Sequence, residues 1–172
     1  EGAVIGKHLR SAATGLLHLV DDVLEMGRLE AGRVRVDPKP VPLAAFAGGL
    51  AAREWLAPHP GVTLTWDVRA ADAWMTTDPG KLEIILSNLV TNAVQAVSAL
   101  DQGRVRRIRL EITRQDGDAV LRVRDTGPGV PPHLVPHLFT PFFTTKSPGQ
   151  GTGLGLSLSY GLVKAHGGVL VY

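Results

Sequence analysis

Two asparagines stand in an otherwise apolar run, KLEIILSNLVTNAVQA, at a spacing that suits ligand binding. Asn88 and Asn92 are four residues apart, slightly more than one helical turn, so on a helix both amides point the same way. Ile85 and Leu89 beside them are typical core residues. Because a buried amide without a partner costs roughly 1–3 kcal/mol, the pair must either cap backbone groups inside the core or bind a ligand.

A carboxylate and two glycines end a later apolar alternation, RVRDTGPGV. Asp125 stands at the predicted strand end, and Gly127 and Gly129 follow it. A carboxylate can accept a hydrogen bond from an exocyclic amine such as that of adenine. The glycines permit close backbone approach and positive φ. A plain strand-end turn has the same composition, so this stretch alone leaves both interpretations open.

A glycine-rich stretch, GQGTGLGLS, leads into a predicted helix. Gly149, Gly151, Gly153 and Gly155 alternate with other residues, and bare N–H groups at the positive end of a helix suit phosphate oxygens. The stretch is not a dinucleotide fingerprint, which needs glycine where Leu156 stands, and no GK[ST] of a P-loop occurs. A flexible turn is the alternative.

Three of the four phenylalanines lie together in LFTPFFTTK. Phe139, Phe142 and Phe143 precede Lys146, and large apolar groups on a mobile loop suit a lid that closes over a ligand. Lys146 would then reach a phosphate. A small satellite core is the alternative for the phenylalanines.

The opening segment predicts one long helix with two apolar stripes. A heptad seam with a second stripe beside it suits a helix of a four-helix bundle, and docking onto its own domain is the alternative. The seam is Ile5, Leu9, Ala12, Leu16, Leu19, Val23 and Met26, and the second stripe is Leu17, Val20 and Leu24. Gly32 and three prolines then predict a domain boundary and a short strand.

The remaining patterns predict an α/β (α+β) two-layer sandwich, a mixed sheet with helices on one face, preceded by one long helix of a dimerisation four-helix bundle. LAAFAGGLAAREWL predicts a helix and VTLTWDV a strand. Asp78-Pro79 begins the asparagine helix, which should run to about Leu100. RIRLEITRQ and AVLRVRDT predict a hairpin around DGD.

The last third of the chain begins with a long connection rich in glycine and proline, from Thr126 to Gln150, with a short helical piece near residues 133–138. A loop this long inside a domain is usually functional. TGLGLSLSYGLVKAHGG then predicts a helix and GVLVY a final strand.

Composition excludes several classes of protein. With 44% hydrophobic and 20% charged residues the chain is typical of a soluble globular protein, and a net charge of +2 does not suggest nucleic acid as a partner. No apolar run is long enough to span a bilayer. The absence of cysteine excludes disulfides and thiolate metal sites. Since the chain begins without Met, it is expected to be a piece of a longer protein.

Together and in this order, the motifs resemble those of the sensor histidine kinases, within the wider group of ATP-binding domains shared with gyrase, Hsp90 and MutL. NLVTNAV resembles the N box, DTGPG the G1 box, FTPFF the F box and GTGLGLSL the G2 box. FTPFFTTK is similar to the nitrogen-regulator and FixL-like branch. LVDDVLEMGRLEAG resembles the end of the second dimerisation helix. The implied domains are residues 1–31, an incomplete dimerisation and histidine-phosphotransfer domain, and 32–172, a catalytic ATP-binding domain whose last strand is missing.

The resemblance implies a role for each motif residue in binding ATP and Mg²⁺. Asn92 would bind the ion through its amide oxygen, a hard ligand, and Asn88 would support the ion or the phosphates from one turn earlier. Asp125 would bind the adenine amino group. The other implied nucleotide-binding residues are Gly127, Gly129, Phe143, Thr144, Thr145, Lys146, Gly151, Thr152, Gly153, Leu154, Gly155 and Leu156.

A kinase fits this sequence better than a hydrolase. Gyrase-like ATPases carry a glutamate base four residues before the magnesium-binding asparagine; here that residue is Asn88, whose amide cannot take a proton. Glu83 points elsewhere on the helix. ATP would therefore be held without activation of water. A gyrase-like ATPase and a non-catalytic nucleotide-sensing or dimerisation module are the alternatives.

No catalytic residue is expected in this chain, so it should not phosphorylate itself alone. His8 fits the H box of the family poorly, because Arg10 follows it at two positions rather than three and Ala12 and Ala13 stand where proline is expected. The phosphoacceptor histidine is expected upstream of Glu1.

Other histidines and partners add little chemistry. His133 and His137 are four residues apart but lack an evident third metal ligand. The expected partners are a response regulator receiver domain and a second copy of the chain through the helical bundle. The expected location is cytoplasmic, with a membrane reached only through parts of the protein outside this chain.

Two positions depart from many members of the family. A lysine and an aromatic residue often follow the N-box asparagine, where they contact phosphate and adenine. Gln95 and Ala96 stand there in this chain, which leaves the strength of ATP binding open and makes Lys146 a candidate to replace the lost charge.

Overall fold

The structure, a computed structural model, describes residues 2–51, 60–69, 74–101, 103–147 and 151–172, and for most of residues 2–18 and Ala51 the backbone alone. The described helices are α1 (Gly2–Glu30), α2 (Leu43–Ala51), α3 (Pro79–Ser98) and α4 (Gly155–Ala165), with a short 3-10 helix at Pro132–His137. The described strands are β1 (Lys39–Pro42), β2 (Thr63–Val68), β3 (Trp74–Thr77), β4 (Arg107–Gln115) and β5 (Asp118–Asp125). The chain divides into two compact units, one of residues 1–35 and 137–171 and one of residues 36–136 with Tyr172.

The unit of residues 36–136 contains a mixed sheet in the order β2-β4-β5. β2 runs parallel to β4, with Trp66 opposite Leu110, and β4 runs antiparallel to β5, with Leu110 opposite Val123. β1 and β3 form a separate antiparallel pair, with Val41 opposite Met75. The predicted mixed sheet is confirmed, whereas the sequence did not predict β3.

The turn between β4 and β5 sets the position of Asp125. Asp116 and Gly117 have φ values of +53° and +96°, as the two central residues of a type I′ turn require. This short turn fixes the register of the hairpin, which places Asp125 opposite Ile108 at the far end of the sheet. The predicted hairpin is confirmed.

One face of the mixed sheet carries the core of this unit. Alternation along β4 buries Ile108, Leu110 and Ile112. Residues of α3 and α2 pack against them in three contiguous clusters, so both helices lie on the same face of the sheet. The helix residues buried in these clusters are Leu43, Ala47, Leu50, Leu82, Leu86, Val90, Ala93 and Val97.

The start of α3 is capped as predicted. Asp78 Oδ1 accepts a hydrogen bond of 3.1 Å from the N–H of Lys81, and Pro79 occupies the first helical position. Asp78 Oδ2 accepts a second bond of 3.1 Å from the N–H of Asp37. The carboxylate therefore begins the asparagine helix and also fastens the segment before β1 to it.

The other unit pairs α1 with α4. A Cβ built at Gly161 would lie 2.7 Å from Leu29 Cδ1. The end of α1 therefore packs against α4 at a residue of α4 that has no side chain. α1 ends before Gly32, whose φ is +63°, as predicted. The alternative in which the first helix docks onto its own chain thus holds at its C-terminal end.

Before this C-terminal end of α1, several apolar side chains of the helix are exposed. Leu16 and Leu17 are more than 60% exposed, and Val20, Val23 and Leu24 are exposed as well. The four-helix bundle that would cover these side chains is not seen in this single chain and stays a prediction. No described helix is both long and apolar enough to cross a bilayer.

The predicted final strand GVLVY is wrong for the described structure. Residues 168–172 belong to none of the described strands, and Val169 and Val171 are exposed. Alternation alone does not make a strand, because the backbone groups need a partner ladder. The predicted helix LAAFAGGLAAREWL is seen up to Ala51, and its remainder, like Gly149, lies outside the described residues.

Candidate functional site

The two asparagines lie half-buried on α3, four residues apart, as their spacing predicted. Asn92 Nδ2 donates a hydrogen bond of 3.0 Å to the backbone carbonyl of Asn88. The NH₂ group of Asn92 therefore caps a backbone carbonyl, as the alternative interpretation expected. The same bond turns Oδ1 of Asn92 away from the Asn88 carbonyl, and this oxygen is the hard donor that a magnesium ion would use.

Asp125 ends β5 and is held by the loop that follows it. The N–H of Gly127 donates a hydrogen bond of 2.7 Å to Asp125 Oδ1. This bond fixes the carboxylate plane, so that Oδ2 is the oxygen suited to accept from a ligand amine. Asp125 is exposed to solvent, so a ligand can reach its carboxylate.

Gly127 lies directly against the asparagine helix. A Cβ built at Gly127 would be 2.8 Å from the Cβ of Ala96 and 3.3 Å from its carbonyl carbon. Ala96 is one turn after Asn92 on α3, so the contact brings the loop of Asp125 next to the turn of the asparagines. The sequence presented Ala96 only as a departure from the family, whereas the structure gives its small side chain a packing role.

In the other unit, two phenylalanines contact neighbouring rings and one is exposed. Phe139 stacks on Tyr160 with ring centroids 5.0 Å apart, and the ring of Phe143 lies 5.7 Å from that of His137. Phe139 and Phe143 are half-buried, and both the satellite core and the lid stay predictions for these residues. Phe142 is 69% exposed.

Lys146 and the first described glycine of the G2 stretch lie together. A Cβ built at Gly151 would be 3.0 Å from Lys146 Cδ and 3.4 Å from Thr144 Oγ1. The N–H of Lys146 donates to Thr144 Oγ1 at 3.2 Å. Burial lowers the pKa of Lys146 below its usual value. A lysine beside a glycine can contribute charge-assisted hydrogen bonds to an anionic ligand.

The glycine-rich stretch leads into a helix, as predicted, and its role in binding phosphate stays a prediction. Leu154 stands at the cap position and has no side-chain acceptor, while Gly155 is the first helical residue. Leu154 is fully buried in the core of its unit. Thr152 Oγ1 accepts from the N–H of Leu154 at 3.2 Å. The cap residue of α4 therefore offers no side-chain acceptor of its own, and the dipole of the helix favours an anion near this end.

The structure groups the predicted site residues by unit. One unit contains Asn88, Asn92, Asp125, Gly127 and Gly129; the other contains Phe143, Thr144, Thr145, Lys146, Gly151, Thr152, Gly153, Leu154, Gly155 and Leu156. Thr145 is exposed and Leu156 half-buried. The described residues include no group of three histidine, cysteine or carboxylate side chains that could hold a metal.

Comparison with known proteins identifies the family. A family model described as histidine kinase-, DNA gyrase B- and HSP90-like ATPase matches residues 77–172, more than half of the chain. The signal transduction histidine-protein kinase AfsQ2 of Streptomyces coelicolor is 33% identical over 154 residues, which cover 87% of this chain and 26% of that protein. The virulence sensor protein BvgS of Bordetella pertussis is 34% identical over 171 residues, 93% of this chain and 13% of that protein. The chain therefore spans about a quarter or less of the length of these relatives.

Solved structures agree with the sequence comparison. Full-length ShkA in complex with AMPPNP matches with a TM-score of 0.77 at 31% identity, over 94% of this chain and 33% of that one. The Acinetobacter baumannii histidine kinase AdeS matches with a TM-score of 0.71 over 94% of this chain and 73% of that one, and at 21% identity it shows a shared fold alone.

The resemblance to the sensor histidine kinases is confirmed, while the nitrogen-regulator and FixL-like branch stays a prediction. The chain belongs to the histidine kinase-, DNA gyrase B- and HSP90-like ATPase family, and it carries the catalytic ATP-binding domain found in sensor histidine kinases.

Proposed function

We propose that this chain binds Mg²⁺-ATP and presents the γ-phosphoryl group to a histidine outside the chain, as part of a two-component sensor histidine kinase. The contact of Gly127 with Ala96 carries the proposal. It joins the carboxylate loop to the asparagine helix at a distance that excludes a side chain at residue 127. The complex of the related ShkA with AMPPNP supports a nucleotide as the ligand.

The chain would hold the nucleotide through roles divided among its motifs. Asp125 accepts a hydrogen bond from the adenine amino group, while its other oxygen is held by the N–H of Gly127. Asn92 presents its amide oxygen to Mg²⁺, and Asn88 supports the ion or the phosphates. When bound, the ion neutralises charge on the phosphates and orients them for in-line transfer. Lys146 adds a positive charge for the phosphates.

The remaining positions shape the lid. Two of the proposed nucleotide-binding glycines have positive φ, +73° at Gly129 and +69° at Gly153, and serve as hinges or close approaches. The other proposed nucleotide contacts are Gly127, Phe143, Thr144, Thr145, Gly151, Thr152, Leu154, Gly155 and Leu156. For Leu154 the contact would be through its backbone, because its side chain is fully buried.

Asn88 favours a kinase over a hydrolase. It stands one turn before Asn92 on α3, where a general base would have to take a proton from water, and an amide cannot do so. Glu83 lies five residues earlier and faces a different direction on the helix. Water would therefore not hydrolyse the γ-phosphoryl group before an imidazole nucleophile attacks it.

The whole-protein partners follow from the same proposal. Residues 1–31 would belong to the dimerisation domain and 32–172 to the catalytic domain, with the exposed stripe of α1, which includes Leu16 and Leu17, covered by helices of a homodimer. A response regulator receiver domain would accept the phosphoryl group from the histidine. These steps would take place in the cytoplasm.

The test is a titration of the chain with ATP, with and without Mg²⁺, by calorimetry. We expect binding that tightens with Mg²⁺, is lost in Asp125→Ala, and loses its Mg²⁺-dependent gain in Asn92→Ala. Asp118→Ala is the matched control, because Asp118 and Asp125 occupy opposite ends of β5. Release of phosphate from ATP should be almost absent. Steady hydrolysis would establish the ATPase alternative, and binding without any effect of Mg²⁺ would favour a nucleotide sensor.

A further inference from the structure

The loop that carries Gly127 and Gly129 is fastened at its start by the hydroxyl of Thr126. Thr126 Oγ1 donates to the backbone carbonyl of Val105 at 2.6 Å and accepts from the N–H of Arg107 at 3.0 Å. The N–H of Thr126 donates to the carbonyl of Arg107 at 3.1 Å. The hydroxyl of Thr126 therefore joins the residue after β5 to the carbonyl of Val105, just before β4, and to the N–H of Arg107, the first residue of β4.

The same loop is fastened at its end by the hydroxyl of Tyr172. The N–H of Val130 donates to Tyr172 Oη at 2.9 Å. A Cβ built at Gly129 would lie 3.6 Å from the same oxygen, so the hydroxyl also lies in ordinary contact with the residue whose φ is +73°. Tyr172 is the last of the residues that were predicted as a strand, and the hydrogen bond of its hydroxyl does not require a strand.

Gly127 lies in the segment between these two attachments, and Asp125 directly precedes it at the end of β5. The bond from the Gly127 N–H to Asp125 Oδ1 and the contact of Gly127 with Ala96 both depend on the path of this loop. A loop held in its binding conformation before the ligand arrives has less conformational entropy to lose on binding. Two hydroxyls that fix the loop at either end would thus favour binding of the base without touching it.

We propose that Thr126 and Tyr172 are positioning residues that hold the Asp125 loop in the conformation that binds the nucleotide base. The proposal rests on the proposed function, in which Asp125 contacts adenine. Thr126 holds the loop through its hydrogen bonds with the backbone of Val105 and Arg107. Tyr172 holds it through the hydrogen bond from the Val130 N–H. Neither residue was singled out as a binding residue by sequence, because the partners of both hydroxyls, Val105 and Val130, are distant along the chain.

Removal of each hydroxyl tests the proposal at nearly constant shape. Thr126→Val and Tyr172→Phe should each weaken binding of ATP and of adenosine about threefold to tenfold, the range expected for loss of one or two ordinary hydrogen bonds. The Mg²⁺-dependent gain should stay at the parent value, since the phosphate side is untouched. Thr126→Ser keeps the hydroxyl and should bind like the parent.

Tyr160→Phe is the matched control, because Tyr160 is the other tyrosine of the chain and stacks on Phe139. It should bind ATP like the parent. Parent-like affinity in both Thr126→Val and Tyr172→Phe, or a loss in Thr126→Ser equal to that in Thr126→Val, would overturn the proposal. If Asp125→Ala binds as the parent does, the proposed function itself fails.

Amide hydrogen exchange without nucleotide tests the attachments independently of binding. The Val130 amide should exchange faster in Tyr172→Phe, and the Arg107 amide faster in Thr126→Val, while the amides of α3 keep their protection. Unchanged exchange at both amides would overturn the positioning role even in a chain that binds no ATP. Faster exchange throughout the unit would also overturn it, because the hydroxyls would then support the whole fold rather than the loop.

Discussion

Gly153 lies against the backbone of Phe142. A Cβ built at Gly153 would come within 2.4 Å of the Phe142 carbonyl carbon and 2.7 Å of its oxygen. Both residues have positive φ, +69° at Gly153 and +64° at Phe142. Because the atoms that a side chain would meet are backbone, no rotamer change can make room, and the F box and G2 box are joined at this point.

Gly153→Ala is expected to destabilise its unit more than a change of φ alone explains. The left-handed conformation costs an alanine about 1–2 kcal/mol, and the collision with Phe142 adds about 1–3 kcal/mol as overpacking does elsewhere. Gly167→Ala is the matched control, since Gly167 has φ of +75° and open space around it. Urea unfolding of both variants measures the difference. Equal losses of stability would show that the contact with Phe142 contributes nothing.

Ala96→Leu is expected to weaken ATP binding by displacing the Asp125 loop. Leucine and alanine have similar helix propensities, so α3 itself should be unaffected, while the larger side chain collides with Gly127. Gly127→Ala should have the same effect from the other side, and Ala96→Gly should restore part of the affinity of Gly127→Ala. Thr91→Leu, at an exposed position of the same helix, is the control. Calorimetric titration decides, and full affinity in Ala96→Leu would contradict the packing role.

Chemistry within a few residues made much of this fold predictable. Asp78 and Pro79 begin α3 because a carboxylate cap and a proline at the first turn act locally. Asp116 and Gly117 form the hairpin turn for the same kind of reason. The common direction of Asn88 and Asn92 follows from helical period alone, which is why the sequence located the core of the candidate site.

Features that depend on distant partners were not predictable. β3 is four residues long and exists because β1 pairs with it, and Val169 and Val171 alternate without forming a ladder. The contact between Ala96 and Gly127 joins residues more than thirty positions apart, so no local pattern reveals it. The sequence therefore marked Ala96 as a loss of an aromatic contact, whereas packing against Gly127 gives the small residue a purpose.

Lys146→Met is expected to weaken ATP binding by roughly tenfold to a hundredfold, because a hydrogen bond to a charged group contributes about 1.5–3 kcal/mol. Adenosine, which lacks phosphates, should bind with unchanged affinity. Lys146→Arg keeps the charge and should lose less. Lys164→Met is the control, since Lys164 lies over the ring of Tyr160 on α4. An equal loss for adenosine and ATP would assign Lys146 to structure rather than to phosphate binding.

Asp78→Ala is expected to lower the free energy of unfolding by about 1–2 kcal/mol, the usual cost of removing a helix cap. The variant loses the bonds from the N–H groups of Lys81 and Asp37 together. Asp78→Asn keeps one acceptor oxygen and should lose less. Urea unfolding compares the three proteins. If the asparagine and alanine variants are equally unstable, the bond to Asp37 or the charge, rather than the cap, carries the effect.

Asp67 on β2 is expected to make stability depend on pH below about 4. Arg69 and Arg109 bind the same carboxylate oxygen, and these hydrogen bonds lower the pKa of Asp67 to about 2. In the unfolded chain an aspartate has a pKa near 3.9. A carboxyl with a lower pKa in the folded state stabilises the fold above the unfolded value, and this contribution is lost as the pH falls toward 2.

The measurement compares the urea midpoint of the parent with that of Asp67→Asn from pH 6 to pH 2.5. The parent should be more stable above about pH 4, and the difference should shrink steadily below it, because protonation removes the charge that the variant already lacks. Added salt should reduce the difference at pH 6, since exposed ion pairs are screened. Asp21→Asn, at an exposed position of α1, controls for the general effect of one charge. A difference that stays constant down to pH 2.5 would show that the two arginines do not hold Asp67 ionised.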